Sequence, residues 1–362
     1  MRIAVTVDPY LPVPPTLYGG IERVVDMVVR GLAARGHRIL LFAHPESRTA
    51  GELVPYGVPP HFGWRPRLGE LRQVGRQLWR RRRDVDVVLS WGRLAALLPI
   101  LPRRRLPKIQ RYCRAGVPWR SVETAVRLAG ESIVFAGASG RVYDRRPRTD
   151  RYGGRWRTVY DGVEVAKYEF RAAVADDAPL MFLGRLESIK GAHNAIAIAR
   201  GAARRLVIAG NRVESPEAGR YFDTRVAPHL DGKEIAWVGP VDDAQKACLL
   251  GSAAALLMPI EWEEPFGVVM AEALACGTPV IGFDRGSIPE VVRDGVTGFV
   301  CASIDEAVAA VRHLDRIDRA AVRADCEARF GDRVVVDAYE RLCQEMVERR
   351  APAREGLTMR AR

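Results

Sequence analysis

Residues 261–283 read EWEEPFGVVMAEALACGTPVIGF. Pro265 and Gly267 interrupt the opening acidic run, and GVVMAEALAC then predicts an apolar helix. The run PVIGF (279–283) that follows is typical of a buried strand, as is AALLMP (254–259) before it. Strand, loop, helix and strand within about thirty residues predict a parallel sheet of the α/β class.

Short apolar runs alternate with helical periodicity along the rest of the chain as well. In the first half the runs are RIAVTV (2–7), RILLFA (38–43), DVVLSW (86–91), KIQRYC (108–113), SIVFAGAS (132–139) and RTVYDGV (157–163). In the second half they are PLMFLG (179–184), RLVIAG (205–210), EIAWVG (234–239), AALLMP, PVIGF and GFV (298–300). Helical segments are expected between them, in the first half near 20–35, 69–83, 93–101 and 121–130.

A chain of 362 residues is too long for one typical core, so two domains are expected. We predict an N-terminal domain over 1–168 and a C-terminal domain over 169–332. Each would be a doubly wound, Rossmann-like parallel sheet, and the two would face each other across a cleft. A terminal helix over 333–350 is expected to pack back on the first domain.

The net charge of +12 is concentrated in the first half of the chain. Residues 1–165 hold 30 Lys and Arg against 14 Asp and Glu, whereas 166–362 hold 26 against 30. Basic residues cluster in RPRLGELRQVGRQLWRRRRD (65–84) and at 103–105. Apolar residues recur in the longer cluster at helical spacing: Leu68, Leu71, Val74, Leu78 and Trp79. A basic amphipathic helix of this kind can lie on an anionic membrane, although 51 Arg against 5 Lys is equally typical of a GC-rich genome.

The sequence disfavours nucleic-acid-binding, membrane-spanning and disulfide-bonded proteins. It has no zinc-finger spacing, RNP-type aromatic motif or evident recognition helix, so nucleic acid is not an expected partner. Asp8 interrupts the first apolar run, and no window approaches the ~18 apolar residues of a spanning helix. The six cysteines lie far apart without a CxxC pair, which indicates reduced thiols. A cytoplasmic protein is expected, with peripheral contact at the inner face of the membrane if the basic helix meets lipid.

Ligands of open parallel sheets bind beyond the carboxyl ends of the strands, so the loops at those ends are candidate sites. The loop after RIAVTV ends in Gly19 and Gly20, which would let the backbone approach a ligand at a helix N-terminus. The loop after PLMFLG places Arg185 and Lys190 at a strand-to-helix junction, where two cations suit a diphosphate. A plain turn and solvated surface charge remain the alternatives.

The opening stretch carries two glutamates, Glu264 before the helix and Glu272 within it. Eight helical residues rise ~12 Å, too far for both carboxylates to act on one bond. The spacing suits two ends of a nucleotide-sugar, with Glu264 at the sugar hydroxyls and Glu272 at the ribose hydroxyls. The pyrophosphate would lie over the amides of Phe266, Gly267 and Val268. The alternative is that Glu264 caps the helix and that Glu272 is merely exposed.

Four separated segments together resemble one family. EPFGVVMAEALACGTPVIGFDRGSIPEVVRDGVTGFV (264–300) is similar to the E-x7-E region of the retaining glycosyltransferases of family 4. PPTLYGGIERVVDMVVRGLAARGHRILLFAHPES (14–47) resembles that family's glycine loop and its helix. LGRLESIKGAHNAIAIA (183–199) and VYDGVEVAKYEF (159–170) resemble its phosphate-binding and interdomain segments. The resemblance spans roughly 1–345 and implies the GT-B fold.

The resemblance also implies roles for individual residues. Arg185 and Lys190 would hold the donor diphosphate, and Glu264 would contact the donor sugar; these three would carry the catalysis. Glu272 would bind the ribose, while Gly19 and Gly20 would border the site from the first domain.

The implied reaction transfers a hexose from a nucleotide-diphosphate sugar with retention, the leaving phosphate taking the acceptor proton. The resemblance also implies that no metal and no further cofactor are needed, which is consistent with the DxD at 84–86 lying directly before a predicted strand.

One segment departs from the family pattern. Tyr112, Cys113 and Arg114 stand where many members have a histidine near the donor sugar. The alternatives are therefore a non-catalytic nucleotide-sugar-binding protein or a GT-B sugar-nucleotide epimerase, although no acid/base set for an epimerase is evident. The basic first domain favours an anionic or lipid-linked acceptor.

Overall fold

The structure is a computed structural model that describes residues 1–16, 19–57, 64–114, 116–144 and 153–349, with the backbone only for 64–67. The chain forms two compact units. Among the described residues, the first comprises those of Met1–Ala138, Val142–Val159 and 335–349, and the second comprises those of Ser139–Arg141 and Tyr160–Val334.

The first unit contains a seven-stranded sheet in the order β3-β2-β1-β4-β5-β6-β7, with every pair of neighbours parallel. Its strands are β1 Arg2–Thr6, β2 Arg38–Ala43, β3 Glu52–Pro55, β4 Val87–Ser90, β5 Lys108–Tyr112, β6 Ile133–Gly137 and β7 Trp156–Thr158. Its first helices are α1 Gly20–Ala34, α2 Trp64–Arg81 and α3 Trp119–Ala129. The strand order reverses between β1 and β4, which makes that pair the topological switch point.

The second unit contains a six-stranded parallel sheet in the order β10-β9-β8-β11-β12-β13. Its strands are β8 Leu180–Leu183, β9 Leu206–Ala209, β10 Ile235–Trp237, β11 Ala255–Met258, β12 Val280–Phe283 and β13 Gly298–Cys301. Its helices are α4 Ala192–Gly201, α5 Pro216–Arg225, α6 Asp243–Ser252, α7 Val268–Ala275, α8 Ile288–Val291, α9 Ile304–Val311 and α10 Arg319–Phe330. Here the order reverses between β8 and β11. The predicted fold class, two Rossmann-like parallel-sheet domains, is confirmed.

Most predicted elements are present, with two differences. β3 (Glu52–Pro55) was missed because an edge strand of four residues, none of them buried, has no apolar run to mark it. The helix expected near 93–101 is a 3₁₀ helix over Leu94–Ile100 with Pro99 inside it, and a proline there has no amide for a helical hydrogen bond.

The basic stretch 65–84 does form a helix, but its apolar side faces the protein. Val74 and Leu78 of α2 are each 2% exposed and belong to the core of the first unit, with Leu71 and Trp79 packed against it. Only Leu68 of the predicted apolar stripe is exposed, at 44%. The expectation that this stripe meets lipid is therefore wrong, because the stripe covers the sheet. Among the described residues no helix has the length and hydropathy needed to cross a membrane.

A last helix, α11 (Asp332–Glu348), belongs to the first unit from Val335 onward. The predicted terminal helix covers 333–350, of which residue 350 lies outside the described residues. Val336 packs against Gly31 of α1, where a Cβ would meet the valine methyl at 2.5 Å. Arg35 pairs with Glu340 at 2.6 Å, and the Trp91 and Tyr339 rings lie 5.0 Å apart. A bare backbone at Gly31 thus lets two helices approach closely.

We expect Gly31→Ala to destabilise the first unit by about 1–3 kcal/mol, because the stiff Val336 side chain has to move. The measurement is the urea unfolding midpoint followed by tryptophan fluorescence. Adding Val336→Ala should recover part of the loss, since it removes the opposing methyls.

Gly69→Ala is the matched control. Gly69 lies in α2, and no atom lies within 4 Å of the position that a Cβ would take there, so this change should stabilise by up to about 1 kcal/mol. Equal midpoints for the two alanine variants would contradict the proposed helix contact.

Candidate active site

The predicted donor loops lie at the switch point of the second unit. β8 and β11 are parallel neighbours, with Leu180 opposite Ala255 and Met181 opposite Leu256. The loop after β8 carries Arg185 and Lys190, and the loop after β11 carries Glu264. Because carboxyl ends of parallel strands lie along the same edge, these loops emerge side by side where ligands of such sheets bind.

Two helices begin at this edge, and both follow a glycine. Gly191 precedes α4 with φ 77°, and Gly267 precedes α7 with φ 76°, both left-handed. A Cβ on Gly191 would lie 2.0 Å from the carbonyl oxygen of Pro259 in the neighbouring loop. Glycine has no side chain to cap the first-turn amides. The His193 amide donates to the Tyr221 hydroxyl at 3.2 Å and the Met270 amide to the Gly267 carbonyl at 2.8 Å, so the remaining first-turn amides are the ones that an anion can meet.

An ion pair joins the two loops. The Lys190 ammonium donates to Oε2 of Glu264 at 2.5 Å, and their side chains are 18% and 11% exposed. The indole N–H of Trp262 donates to the same oxygen at 3.1 Å, and the Lys190 ammonium lies 4.6 Å from the Trp262 ring centroid. Oε1 of Glu264 contacts no donor among the described residues. The structure therefore brings Lys190 and Glu264 together and orients both.

The backbone of Glu264 is held from the far side by the loop after β12. Gly286 has φ 52°, and a Cβ there would lie 2.3 Å from the Glu264 amide nitrogen and 2.4 Å from its carbonyl oxygen. The Ser287 amide donates to the Glu264 carbonyl at 2.9 Å, and its hydroxyl donates to the Phe266 carbonyl at 2.8 Å. The loop between β11 and α7 is thus fixed on both sides.

The first turn of α4 supplies a further clamp. Asn194 donates to the Pro259 carbonyl and to the Glu261 carboxylate, both at 3.1 Å. His193 lies 2.9 Å from the Tyr221 hydroxyl and 3.3 Å from Glu261, and burial lowers the pKa of His193. These polar residues tie the start of α4 to the loop that carries Glu264.

Arg185 leaves β8 directly after Gly184. Its guanidinium pairs with Glu187 at 2.6 Å, and 33% of its side chain is exposed. Gly210 approaches this point closely, since a Cβ on Gly210 would lie 1.9 Å from the Gly184 carbonyl oxygen, and this contact sets the path of the backbone into the loop. Arg185 therefore lies at the predicted edge of the sheet, with an acidic partner of its own loop.

Glu272 lies in α7 and is 5% exposed. Its Oε1 accepts from Lys246 at 2.5 Å and from the Tyr168 hydroxyl at 2.8 Å. The alternative of a merely exposed Glu272 is wrong, and so is helix capping by Glu264, whose carboxylate binds Lys190 and Trp262 instead. Only the last five residues of the 264–272 interval are helical, so the ~12 Å rise does not apply to all of it.

The remaining predicted residues are placed as follows. Phe266 is 1% exposed and packs edge-on against Phe330, so only its backbone could meet a ligand. Val268 is the first residue of α7. Gly19 and Gly20 lie in the first unit, at the start of α1, where Gly19 has φ 149°.

The DxD motif serves the first sheet, because Asp86 accepts from the Arg2 side chain at 2.9 Å where β4 begins. Among the described residues no group of three or more His, Cys, Asp and Glu side chains is arranged to hold a metal ion.

Sequence reasoning missed Tyr168, Lys246, Trp262 and Gly286. Tyr168 and Lys246 are 104 and 26 residues away from the glutamate they bind, and nothing local to them indicates that contact. Trp262 could have been identified from the sequence, since it lies in the quoted stretch two residues before Glu264.

Two family models match the chain. Residues 18–114 match the model of Glycosyltransferase Family 4, and residues 167–323 match that of Glycosyl transferases group 1.

Two curated relatives cover most of the chain. A glycogen synthase of Mycobacterium tuberculosis (strain H37Rv) is 33% identical over 356 residues, covering 83% of each chain. A D-inositol 3-phosphate glycosyltransferase 1 of Catenulispora acidiphila is 28% identical over 345 residues, covering 80% of each.

Solved structures share the fold over nearly the whole length. AviGT4, a glycosyltransferase involved in avilamycin A biosynthesis, superposes with a TM-score of 0.69 at 22% identity, covering 96% of this chain and 98% of that one. Anabaena HepE in complex with UDP and glucose gives 0.72 at 17% identity, covering 95% and 99%. The chain therefore belongs to the family 4, group 1 glycosyltransferases, and its two parallel-sheet units are those of the GT-B fold.

Proposed function

We propose that this chain transfers a hexose from a nucleotide-diphosphate sugar to a hydroxyl acceptor with retention of configuration. The observation that carries the proposal is the Lys190–Glu264 pair at the β8–β11 switch point, between the two glycine-started helix termini. Support also comes from the solved structure of HepE, which holds UDP and glucose.

The charges at this edge suit an extended donor. An ammonium has three donors, so Lys190 can keep its bond to Glu264 and still donate to a phosphate oxygen. The first-turn amides of α4 and α7 that are not already bonded offer further donors to the diphosphate, and Arg185 can exchange its partly exposed pairing with Glu187 for a bidentate contact.

Glu264 is suited to the sugar end of the donor. Its Oε2 is already occupied by Lys190 and Trp262, while Oε1 has no donor among the described residues. A sugar hydroxyl can donate to Oε1 without breaking an existing bond.

In the proposed reaction the bond between the anomeric carbon and the leaving phosphate oxygen breaks, and the acceptor oxygen attacks from the same face. The acceptor proton passes to the departing phosphate, so no protein base is required. Lys190 and Arg185 stabilise the negative charge that grows on the diphosphate, and such preorganised donors contribute about 3–4 kcal/mol each in related sites.

We propose that the reaction needs no metal ion and takes place in the cytoplasm. Asp86, the acid of the DxD motif nearest the strand, is already engaged by Arg2. All six cysteines carry thiols and four of them are buried, which fits a reducing compartment.

Lys190→Met should lower kcat for donor turnover by about 100- to 1000-fold, because it removes one positive charge that stabilises the leaving diphosphate. The measurement is release of the nucleoside diphosphate from UDP-, GDP-, ADP- and dTDP-hexoses. Lys167→Met is the matched control: Lys167 lies in the same unit, is 57% exposed and pairs with Glu164. Equal kcat values in the two variants would remove Lys190 from the reaction.

Gly286→Ala should lower kcat/KM by about 100-fold, because its Cβ would displace the backbone of Glu264 and a shift of 1 Å can cost that much. Gly295→Ala carries the same positive-φ strain, at φ 72°, with no atom within 4 Å. We expect Gly295→Ala to retain activity at temperatures where it stays folded. Similar losses in both variants would show backbone strain alone and contradict the positioning of Glu264 by Gly286.

Glu272→Gln should remove the preference for ribose hydroxyls. Wild-type protein should bind a ribonucleoside diphosphate at least tenfold more tightly than its 2′,3′-dideoxy counterpart, since a hydrogen bond to a charged group is worth about 1.5–3 kcal/mol. Calorimetry should find most of that difference lost in Glu272→Gln and kept in Asp243→Asn, which alters another partner of Lys246. If Glu272→Gln kept the preference for the ribonucleoside diphosphate, the ribose hydroxyls would not bind Glu272.

A further inference from the structure

The first unit has a cavity of about 550 Å³ at the carboxyl ends of β4 and β5. Its walls include Arg93, which follows β4, and Arg114, which follows β5, together with Asp8 from the loop after β1. It therefore lies at the switch point of the first sheet, the counterpart of the edge that carries Lys190 in the second. The volume is within the range of small-molecule sites, roughly 300–1,000 Å³.

Positive charge dominates the walls. Four arginines line the cavity, and Asp8 is the one acid among the described residues that do so: Arg93, Arg111, Arg114 and Arg120. Asp8 accepts from the Arg93 amide at 3.2 Å and pairs with the Arg114 guanidinium at 3.3 Å, while Glu70, which does not line the cavity, lies 4.0 Å from the Arg93 guanidinium. Acids thus offset two of the four charges. An anion is therefore the ligand that this wall attracts.

The N-terminus of α3 adds to that field. The helix begins at Trp119 after Pro118, which has no side-chain acceptor for the first-turn amides. Pro118, Arg120 and Ser121 from this terminus all line the cavity. A helix of eleven residues thus directs its positive end toward the arginines.

The cavity also has an apolar and aromatic lining. Trp91, Leu94, Leu98 and Tyr112 contribute to it, and Leu98 is 51% exposed. Tyr112 is braced by Phe135 and Trp156, with ring centroids 6.2 and 5.5 Å away. A ligand that fits this lining combines an anionic group with a ring or alkyl surface.

We propose that this cavity binds the acceptor, and that the acceptor carries a phosphate or carboxylate group in addition to the hydroxyl that receives the sugar. The inference rests on the proposed function, because an acceptor presupposes transfer. Arg120 and Arg114 are then specificity-determining residues, and Tyr112, Cys113 and Arg114, which stand where many family members have a histidine, form part of the acceptor wall.

The test measures binding to the whole chain by calorimetry in the absence of donor. Glucose 6-phosphate and glucuronate are each compared with glucose, and dodecyl phosphate is compared with dodecyl maltoside, all below micellar concentrations. We expect every anion that binds to do so at least tenfold more tightly than its neutral partner. The two comparisons with glucose detect a soluble acceptor, and the comparison of the dodecyl compounds detects a lipid-like one. A preference for the anion in any of the three supports an anionic acceptor.

Arg120→Gln should weaken anion binding at least tenfold, whereas Arg127→Gln should leave it unchanged. Both arginines are exposed on α3 and lose the same charge, but Arg127 does not line the cavity. Neutral ligands that bind as tightly as the anions, or equal losses in the two variants, would overturn the proposal.

Donor turnover separates this inference from the proposed function. If the chain binds the anions through Arg120 but turns over none of the donors, the transfer reaction is wrong while the ligand class stands. If it turns over a donor but prefers neutral ligands, the reaction stands and the anionic acceptor is wrong.

Discussion

The ion pair between Lys190 and Glu264 is the constraint on which the second unit's site depends. It joins two loops from adjacent strands, and the bare backbone of Gly191 lets those loops approach each other closely at the Pro259 carbonyl. With the loops locked, the N-termini of α4 and α7 open at the same edge of the sheet. A partly buried ion pair of this kind is weak support for stability but strong support for orientation, since either charge alone would need another partner.

The sequence predicts those features that follow from local pattern. The strands near 180–183, 255–258 and 280–283 and the helix after Gly267 follow from apolar runs and breakers, and the loops at their ends follow from the rule for parallel sheets. The partners of a buried carboxylate do not follow from local pattern. Glu272 meets Tyr168 and Lys246 only because the fold brings α7 against distant parts of the chain, and no spacing rule encodes that contact.

The basic stretch 65–84 shows that a local pattern can also suggest a contact that the fold does not make. Helical spacing of apolar residues is identical for a helix that covers a sheet and for one that lies on lipid, so the pattern alone could not choose. Burial of Val74 and Leu78 decides it. Part of the positive charge of the first half is instead gathered around the cavity between β4, β5 and α3, where Arg111 is almost fully buried.

The return of α11 to the first unit has a consequence for synthesis on the ribosome. The surface of α1 at Gly31 and Arg35 is completed only by Val336 and Glu340, about three hundred residues later in the chain. The second unit, by contrast, is finished by Val334. Although its strands emerge first, the amino-terminal half is thus the last to be sealed, and a nascent chain released early would expose the apolar seam beside Val336.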